Sequence, residues 1–174
     1  MRNAYYIIFL LAILFISCGK EKRKPVYYDS EITEEESLYA QSGDEVVVPY
    51  RSEAGVTSVK VTANGVDFDM IFDTGCSGTL ISVAEANYLY QKGALSEGDF
   101  IGVAKSQIAD GSIVENMVVN LKEVVIDNRI SCSDVKATVS GNVQAPLLLG
   151  NEVLDRVATI TIDNTDQTLK FNLK

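Results

Sequence analysis

Short apolar segments separated by polar turn residues fill the chain from residue 45 onward, a pattern typical of all-β domains. Asn64-Gly65 and Asp110-Gly111 are two-residue hairpin signals, because the tight turns that join strands favour these residue types. We therefore expect one all-β domain at residues 44–174. Its strands are predicted at residues 46–50, 56–62, 66–72, 79–81, 101–108, 112–119, 121–126, 130–139, 147–149, 158–163 and 168–173.

Two short helices are predicted among these strands. Ser82 and Glu85 have the spacing of a capping box, in which each side chain accepts a hydrogen bond from backbone near the other residue. The helix that they open is predicted to run to about Tyr90, with Gly93 as its stop. A second short helix is predicted at residues 151–156, directly after Gly150.

The first residues of the chain have a different pattern. An unbroken apolar run at residues 4–16 is too short to span a membrane comfortably and is typical of an export signal. It ends at Ser17-Cys18, which resembles the bacterial lipobox, where the cysteine is lipidated and becomes the new N-terminus. We predict a lipoprotein signal peptide at residues 1–17 and a lipid anchor on Cys18. An uncleaved anchor and a plain secretory signal are the alternatives.

Residues 18–43 are polar and charged, so we interpret them as a tether between the anchor and the domain. The predicted location is the bacterial cell envelope. Gly19 follows the lipidated cysteine and is not the Asp that often marks inner-membrane retention, which slightly favours the outer membrane over the inner one.

Composition excludes several classes of function. The 174 residues include no His, which removes Ser-His-Asp and Cys-His nucleophilic sites and His-ligated zinc. The formal charge of −9 argues against nucleic-acid binding, which needs a basic face. There is no Gly-rich phosphate loop. Cofactor-free and metal-free carboxylate chemistry is the enzyme class that remains.

One stretch, residues 70–82, is where such chemistry is expected. A strand delivers Asp73 into a tight turn with Thr74 and Gly75, and apolar residues then resume. An isolated Asp-Thr-Gly would most simply be a turn at a strand end. Here the flanking residues are too apolar for a solvated loop, so a partly desolvated and usable carboxylate is indicated.

The apolar-apolar-Asp-Thr-Gly-x-Ser pattern resembles the active-site loop of the aspartic proteases. The later run of residues 146–150, Pro-Leu-Leu-Leu-Gly, resembles the second signature of the retropepsin-like branch, a strand that braces this loop. The resemblance extends over about residues 45–173. It implies a closed retropepsin-like β-barrel with one or two short helices, and an aspartic endopeptidase that needs no cofactor and cuts peptide or protein substrates.

The resemblance also implies roles for particular residues. Asp73 is the catalytic carboxylate, Thr74 bonds across a dimer axis, and Gly75 lets the substrate backbone approach. A flap that closes over an extended peptide is implied at the tip of a hairpin, formed by Ala109, Asp110, Gly111 and Ser112. An ordinary surface turn is the alternative for that hairpin.

The chain has one Asp-Thr-Gly and no second copy of the motif. Aspartic protease chemistry needs two carboxylates that share one proton, so a homodimer with the site on its two-fold axis is predicted. Viral relatives steady their dimers with an acidic residue and an arginine at positions that are here the neutral Ser77 and Asn151. The alternatives are therefore an inactive, membrane-anchored peptide-binding module of the same fold and a structural lipoprotein.

Two further cysteines follow the predicted anchor, Cys76 and Cys132. In an oxidising compartment they could form a disulfide, although loop geometry often forbids such bridges. Small free thiols are the simpler interpretation. A nucleophilic Cys76 is disfavoured, because no His is present to activate it.

Overall fold

The structure, a computed structural model, describes residues 43–107 and 110–174. The predicted signal peptide, the anchor residue Cys18 and the flap residue Ala109 lie outside the described residues. The elements are β1 (Glu45–Pro49), β2 (Arg51–Glu53), β3 (Val56–Ala63), β4 (Val66–Phe72), β5 (Thr79–Ser82), α1 (Val83–Gln91), a 3₁₀ turn (Glu97–Asp99), β6 (Phe100–Gln107), β7 (Ile113–Ile126), β8 (Ile130–Ser140), β9 (Leu148–Leu149), α2 (Asn151–Leu154), β10 (Val157–Asp163) and β11 (Thr168–Leu173).

The larger sheet closes on itself to form a barrel. Its strand order is β2-β3-β4-β9-β5-β8-β7-β6, and β3 also pairs with β7. That last pairing aligns Val61 with Ile126 and Ala63 with Val124. Closure buries the inward-facing apolar side chains, and Val59, Val61, Val119 and Leu121 are each at most 1% exposed. The predicted closed β-barrel is confirmed.

A smaller sheet joins the two ends of the described chain. Its strand order is β1-β11-β10, all antiparallel, so the first strand of the domain pairs with the last. Val48, Leu169 and Phe171 are fully buried and belong to the same hydrophobic core as the barrel. The small sheet is therefore packed onto the barrel rather than held apart from it.

The predicted capping box is present at the start of α1. The Ser82 hydroxyl accepts a hydrogen bond from Ala84 N–H at 3.0 Å, and Glu85 Oε2 accepts one from Ser82 N–H at 3.2 Å. Both side chains are buried, at 0% and 6% exposure. Their mutual bonding satisfies polar groups that would otherwise be costly to bury.

No described helix is long and apolar enough to cross a membrane.

Three local predictions were wrong. The strands predicted at 112–119 and 121–126 are one continuous strand, β7 (Ile113–Ile126), because Asn120 stays in register with Lys136 of β8 and does not interrupt the pairing. Strand β2 was not predicted; it pairs with β3 directly after Tyr50, whose N–H donates to the Gln167 carbonyl at 2.9 Å. The second helix ends at Leu154, two residues before the predicted end.

Candidate active site

The loop after β4 presents the candidate catalytic carboxylate. Asp73 is half-buried, whereas Thr74 and Gly75 are exposed. Gly75 N–H donates to Asp73 Oδ1 at 2.8 Å, and Cys76 N–H donates to the Asp73 carbonyl at 3.3 Å. A Cβ at position 75 would lie 3.1 Å from Asp73 Oδ1, tighter than nine in ten real Cβ contacts. Glycine at position 75 therefore avoids crowding the Asp73 carboxyl, and its backbone N–H donates a hydrogen bond to that carboxyl.

Strand β9 supports the Asp-Thr-Gly loop through backbone hydrogen bonds. It lies between β4 and β5, parallel to the first and antiparallel to the second. Asp73 N–H donates to the Leu149 carbonyl at 3.1 Å, and Ile71 N–H donates to the Leu147 carbonyl at 2.8 Å. The residue that carries the carboxyl is thus tied to the barrel through its own backbone.

Because residue 150 is glycine, the chain that follows β9 can approach the Asp-Thr-Gly loop closely at Cys76 and Gly78. A Cβ at position 150 would overlap the Gly78 carbonyl oxygen and lie 2.6 Å from the Cys76 carbonyl oxygen. Both contacts are to backbone, which cannot swing aside as a flexible side chain can. The requirement for glycine here comes from close approach of two chain segments.

Asn151 adds two hydrogen bonds that were not predicted. Its backbone N–H donates to the Cys76 carbonyl at 2.9 Å, and its side-chain amide donates to the Thr74 carbonyl at 3.2 Å. The neutral residue that stands in the position of the viral arginine therefore braces its own loop. The dipeptide Gly150-Asn151 could have predicted these bonds, because a short side-chain amide directly after the close-packed glycine can reach the loop.

The candidate flap is the hairpin of β6 and β7, which is in register from Val103↔Met117 to Gln107↔Ile113. At its tip, Ser112 N–H donates to Asp110 Oδ1 at 2.8 Å, and Gln107 Nε2 donates to the Gly111 carbonyl at 3.2 Å. Hydrogen bonding from Ser112 lowers the pKa of the Asp110 carboxyl from its ordinary value. The tip therefore keeps its negative charge in mild acid.

The two cysteines in the described part of the chain are free thiols. Cys132 is buried, and burial raises the pKa of its thiol. Cys76 is half-buried in the Asp-Thr-Gly loop. Across residues 43–107 and 110–174, no cluster of three or more His, Cys, Asp or Glu side chains could hold a metal ion.

Comparison with known proteins assigns this arrangement to a family. The profile of the family described as "gag-polyprotein putative aspartyl protease" matches residues 59–156, more than half of the chain. The chain belongs to this family of retropepsin-like aspartic proteases. The matched retropepsin-like region includes the Asp-Thr-Gly loop, the candidate flap and the β9 brace. As a member of this family, the protein is an aspartic-type peptidase, a hydrolase.

The fold agrees with a solved retropepsin-like structure. The crystal structure of a retropepsin-like aspartic protease from Rickettsia conorii is similar to this chain, with a TM-score of 0.52 and 21% sequence identity. The similarity covers 75% of this chain and 90% of the Rickettsia chain, and at that identity it concerns the fold. No curated protein sequence matches this one.

The brace yields a test of this retropepsin-like site. Gly150→Ala would force a methyl group against the Gly78 and Cys76 carbonyls, so we expect a loss of stability of about 1–3 kcal/mol. Displacement of the loop should also lower specific peptidase activity by about a hundredfold. Thermal unfolding and peptide hydrolysis measure the two effects.

Gly141→Ala is the matched control, because a Cβ there meets nothing within 4 Å. It should leave stability and activity close to those of the wild type. Equal behaviour of the two variants would contradict the proposed role of the brace.

Proposed function

We propose that the protein is an aspartic endopeptidase of the bacterial cell envelope, in which a homodimer activates water between two Asp73 carboxylates. The observation that carries this proposal is a single Asp-Thr-Gly loop, held by β9 and Gly150, in a chain of the retropepsin-like family. One chain supplies one such carboxyl. The second must come from another copy, which places the site on a two-fold axis.

The chemistry follows from a pair that shares one proton. The ionised carboxylate takes a proton from water as the water oxygen bonds to the carbonyl carbon of the peptide. The protonated carboxyl gives its proton to the carbonyl oxygen, forming a tetrahedral diol. The carboxyl that took the proton from water then gives it to the peptide nitrogen, while the other carboxylate takes a proton from one diol hydroxyl. The C–N bond breaks, the carboxylic acid and amine leave, and the pair again holds one proton. The Gly75 N–H bond to Asp73 fixes the rotation of each carboxyl for these transfers.

The shared proton predicts an acidic optimum. Two carboxyl groups held close cannot both ionise cheaply, so the pair keeps one proton in acid and loses it as the pH rises. Peptidase activity should therefore peak at acidic pH and fall toward neutrality. A profile of initial rates against pH, measured on a peptide without titratable groups, checks this. Activity that is still rising above neutral pH would contradict the mechanism.

Dimerisation should create the activity. Specific activity of the full chain in detergent should fall on dilution, because only the dimer holds two carboxylates. Asp73→Asn is expected to abolish activity by itself. Mixed with wild type, it should reduce activity more than in proportion, since each heterodimer has only one ionisable carboxyl. Constant specific activity in a species that light scattering shows to be monomeric would contradict the shared site.

The neutral Ser77 and Asn151 favour a second candidate function. Without an ion pair between these positions the dimer lacks one support, and a weak dimer would bind envelope peptides without cutting them. The two candidates are separated by incubating the protein with a diverse peptide mixture beside its Asp73→Asn variant. New peptide termini that appear only with the wild type support the enzyme. Retention of peptides without cleavage supports the binding module.

Envelope localisation rests on the lipobox-like Ser17-Cys18 at the end of the apolar leader. A lipid anchor would also raise the local concentration of copies and offset weak dimerisation. Cys18→Ala should release the protein from membranes or leave the precursor uncleaved, as judged by cell fractionation and by mass spectrometry of the N-terminus. A native protein with an unmodified N-terminus elsewhere would contradict the anchor.

A further inference from the structure

Arg156, two residues beyond the end of α2, ties that helix to strand β8. Its guanidinium donates to the Ser133 carbonyl, to the Asp134 carbonyl at 3.1 Å and to Glu152 Oε1 at 2.9 Å. Its Nε donates to the Glu152 carbonyl at 3.0 Å. The ion pair with Glu152 is partly exposed, at 32% and 34%, so it contributes little by itself. The backbone carbonyls are therefore the contacts that fix this side chain.

The backbone of β8 is distorted where it receives the guanidinium. Asp134 has a φ of +52°, a left-handed conformation that is uncommon for residues other than glycine. Successive carbonyls of a regular strand point to opposite sides, yet the Ser133 and Asp134 carbonyls both bond to Arg156. Backbone strain of this kind persists only where the surrounding structure maintains it. The left-handed residue thus directs two consecutive carbonyls to one side chain.

Helix α2 is too short to hold its own position. It has four residues, and an isolated helix of one turn is not stable in water. Gly150 at its N-cap offers no side-chain hydrogen bond. Val153 and Leu154 are buried in the core, but apolar contacts are non-directional and leave the rotation of the helix poorly fixed. The hydrogen bonds of Arg156 supply the missing direction.

The first residue of α2 holds the Asp-Thr-Gly loop. Asn151 donates to the Cys76 carbonyl at 2.9 Å and to the Thr74 carbonyl at 3.2 Å. Asp155 N–H donates to the Asn151 carbonyl at 2.9 Å, which joins the start of α2 to its end. Strand β8 also supports the other end of the loop, because β5 follows the loop and pairs with β8 in parallel. A shift of α2 on β8 would therefore move one side of the loop relative to the other.

We propose that Arg156 is a positioning residue for the candidate active site, because it fixes α2 on β8 and thereby sets where Asn151 meets the loop that carries Asp73. Its effect on catalysis rests on the proposed function, whereas its hold on the loop does not. Lysine cannot replace it. An ammonium group is a point charge and lacks the planar fork that reaches carbonyls of both β8 and α2.

The first test removes the fork and keeps the charge, in Arg156→Lys. Amide hydrogen exchange is measured on the full chain in detergent. Exchange at the Asn151 and Gly75 amides, which are both hydrogen-bonded within the site, should become about tenfold faster or more, because the loop opens locally more often. Exchange in the paired strands β3 and β7 should stay as in the wild type.

Arg129→Lys is the matched control. The Arg129 guanidinium also donates to a backbone carbonyl, that of Val47, and pairs with Asp127, so the same chemical change is made at a contact that does not involve α2. This variant should leave exchange at the Asn151 and Gly75 amides unchanged.

The pH profile gives a second readout, which a simple loss of stability would not move. Two close carboxyl groups ionise at well separated pH values because they share a proton. A displaced loop no longer holds them at that distance, so the profile of kcat/KM should narrow in Arg156→Lys, with the acid limb moving up and the other limb moving down. Its kcat, corrected for the folded fraction, should fall about tenfold. Arg129→Lys should keep the wild-type profile.

A second pair of variants alters the acceptor and leaves Arg156 in place. Asp134→Gly and Asp134→Val both remove the side chain that accepts from the Asn120 amide at 3.1 Å. Glycine adopts a φ of +52° readily, whereas a β-branched residue resists it. Asp134→Val should therefore reproduce the faster exchange at Asn151, and Asp134→Gly should not.

Faster exchange confined to the loop and Asn151, in Arg156→Lys and Asp134→Val alone, supports the proposal. Exchange in Arg156→Lys that rises equally across the barrel, or does not rise, overturns it. Equal exchange in the two Asp134 variants also overturns it. A loosened loop with an unchanged pH profile and kcat contradicts the effect on catalysis. A wild-type protein that hydrolyses no peptide contradicts the proposed function, and the exchange measurements then decide whether Arg156 holds the loop.

Discussion

The close contact between Gly150 and the Asp-Thr-Gly loop is the constraint on which the rest of the site depends. The loop is fixed at two points. Asp73 N–H donates to the Leu149 carbonyl, and the Cys76 carbonyl accepts a hydrogen bond from Asn151 N–H. Between these two points a glycine alone leaves room for the backbone of the loop. A candidate catalytic carboxyl benefits from such rigidity, since small displacements are costly in catalysis.

Structural carboxylates of the domain are suited to the acidic conditions that the proposed chemistry needs. Hydrogen bonds from Ser96 to Asp99, and from Asp166 and Lys170 to Asp163, lower the pKa of both carboxyls. A lowered pKa in the folded state contributes stability that is present above the ordinary carboxyl pKa and is lost as the pH falls through the lowered value. In mild acid these groups therefore stay ionised and keep their bonds, while a close carboxyl pair keeps its shared proton.

The domain divides into a part that it shares with its family and a part that surrounds it. The shared part, residues 59–156, contains most of the barrel together with its loop, flap and brace. The surrounding part is the small sheet, which ties the ends of the described chain together and packs on the same core. The barrel holds one such carboxyl in place, and the chain has one Asp-Thr-Gly loop.

Local signals in the sequence determined the hairpins, the Ser82 cap and the Asp-Thr-Gly turn, because turns and caps depend on residues only a few positions apart. The bounds predicted for β4 and β11 agree with the structure for the same reason. Tertiary structure decided what depends on distant partners. Asn120 continues a strand because it pairs with Lys136 of β8, and Asn151 braces the loop across 77 positions of sequence. Closure of the barrel likewise follows from the pairing of β3 with β7, two distant segments, which no local pattern encodes.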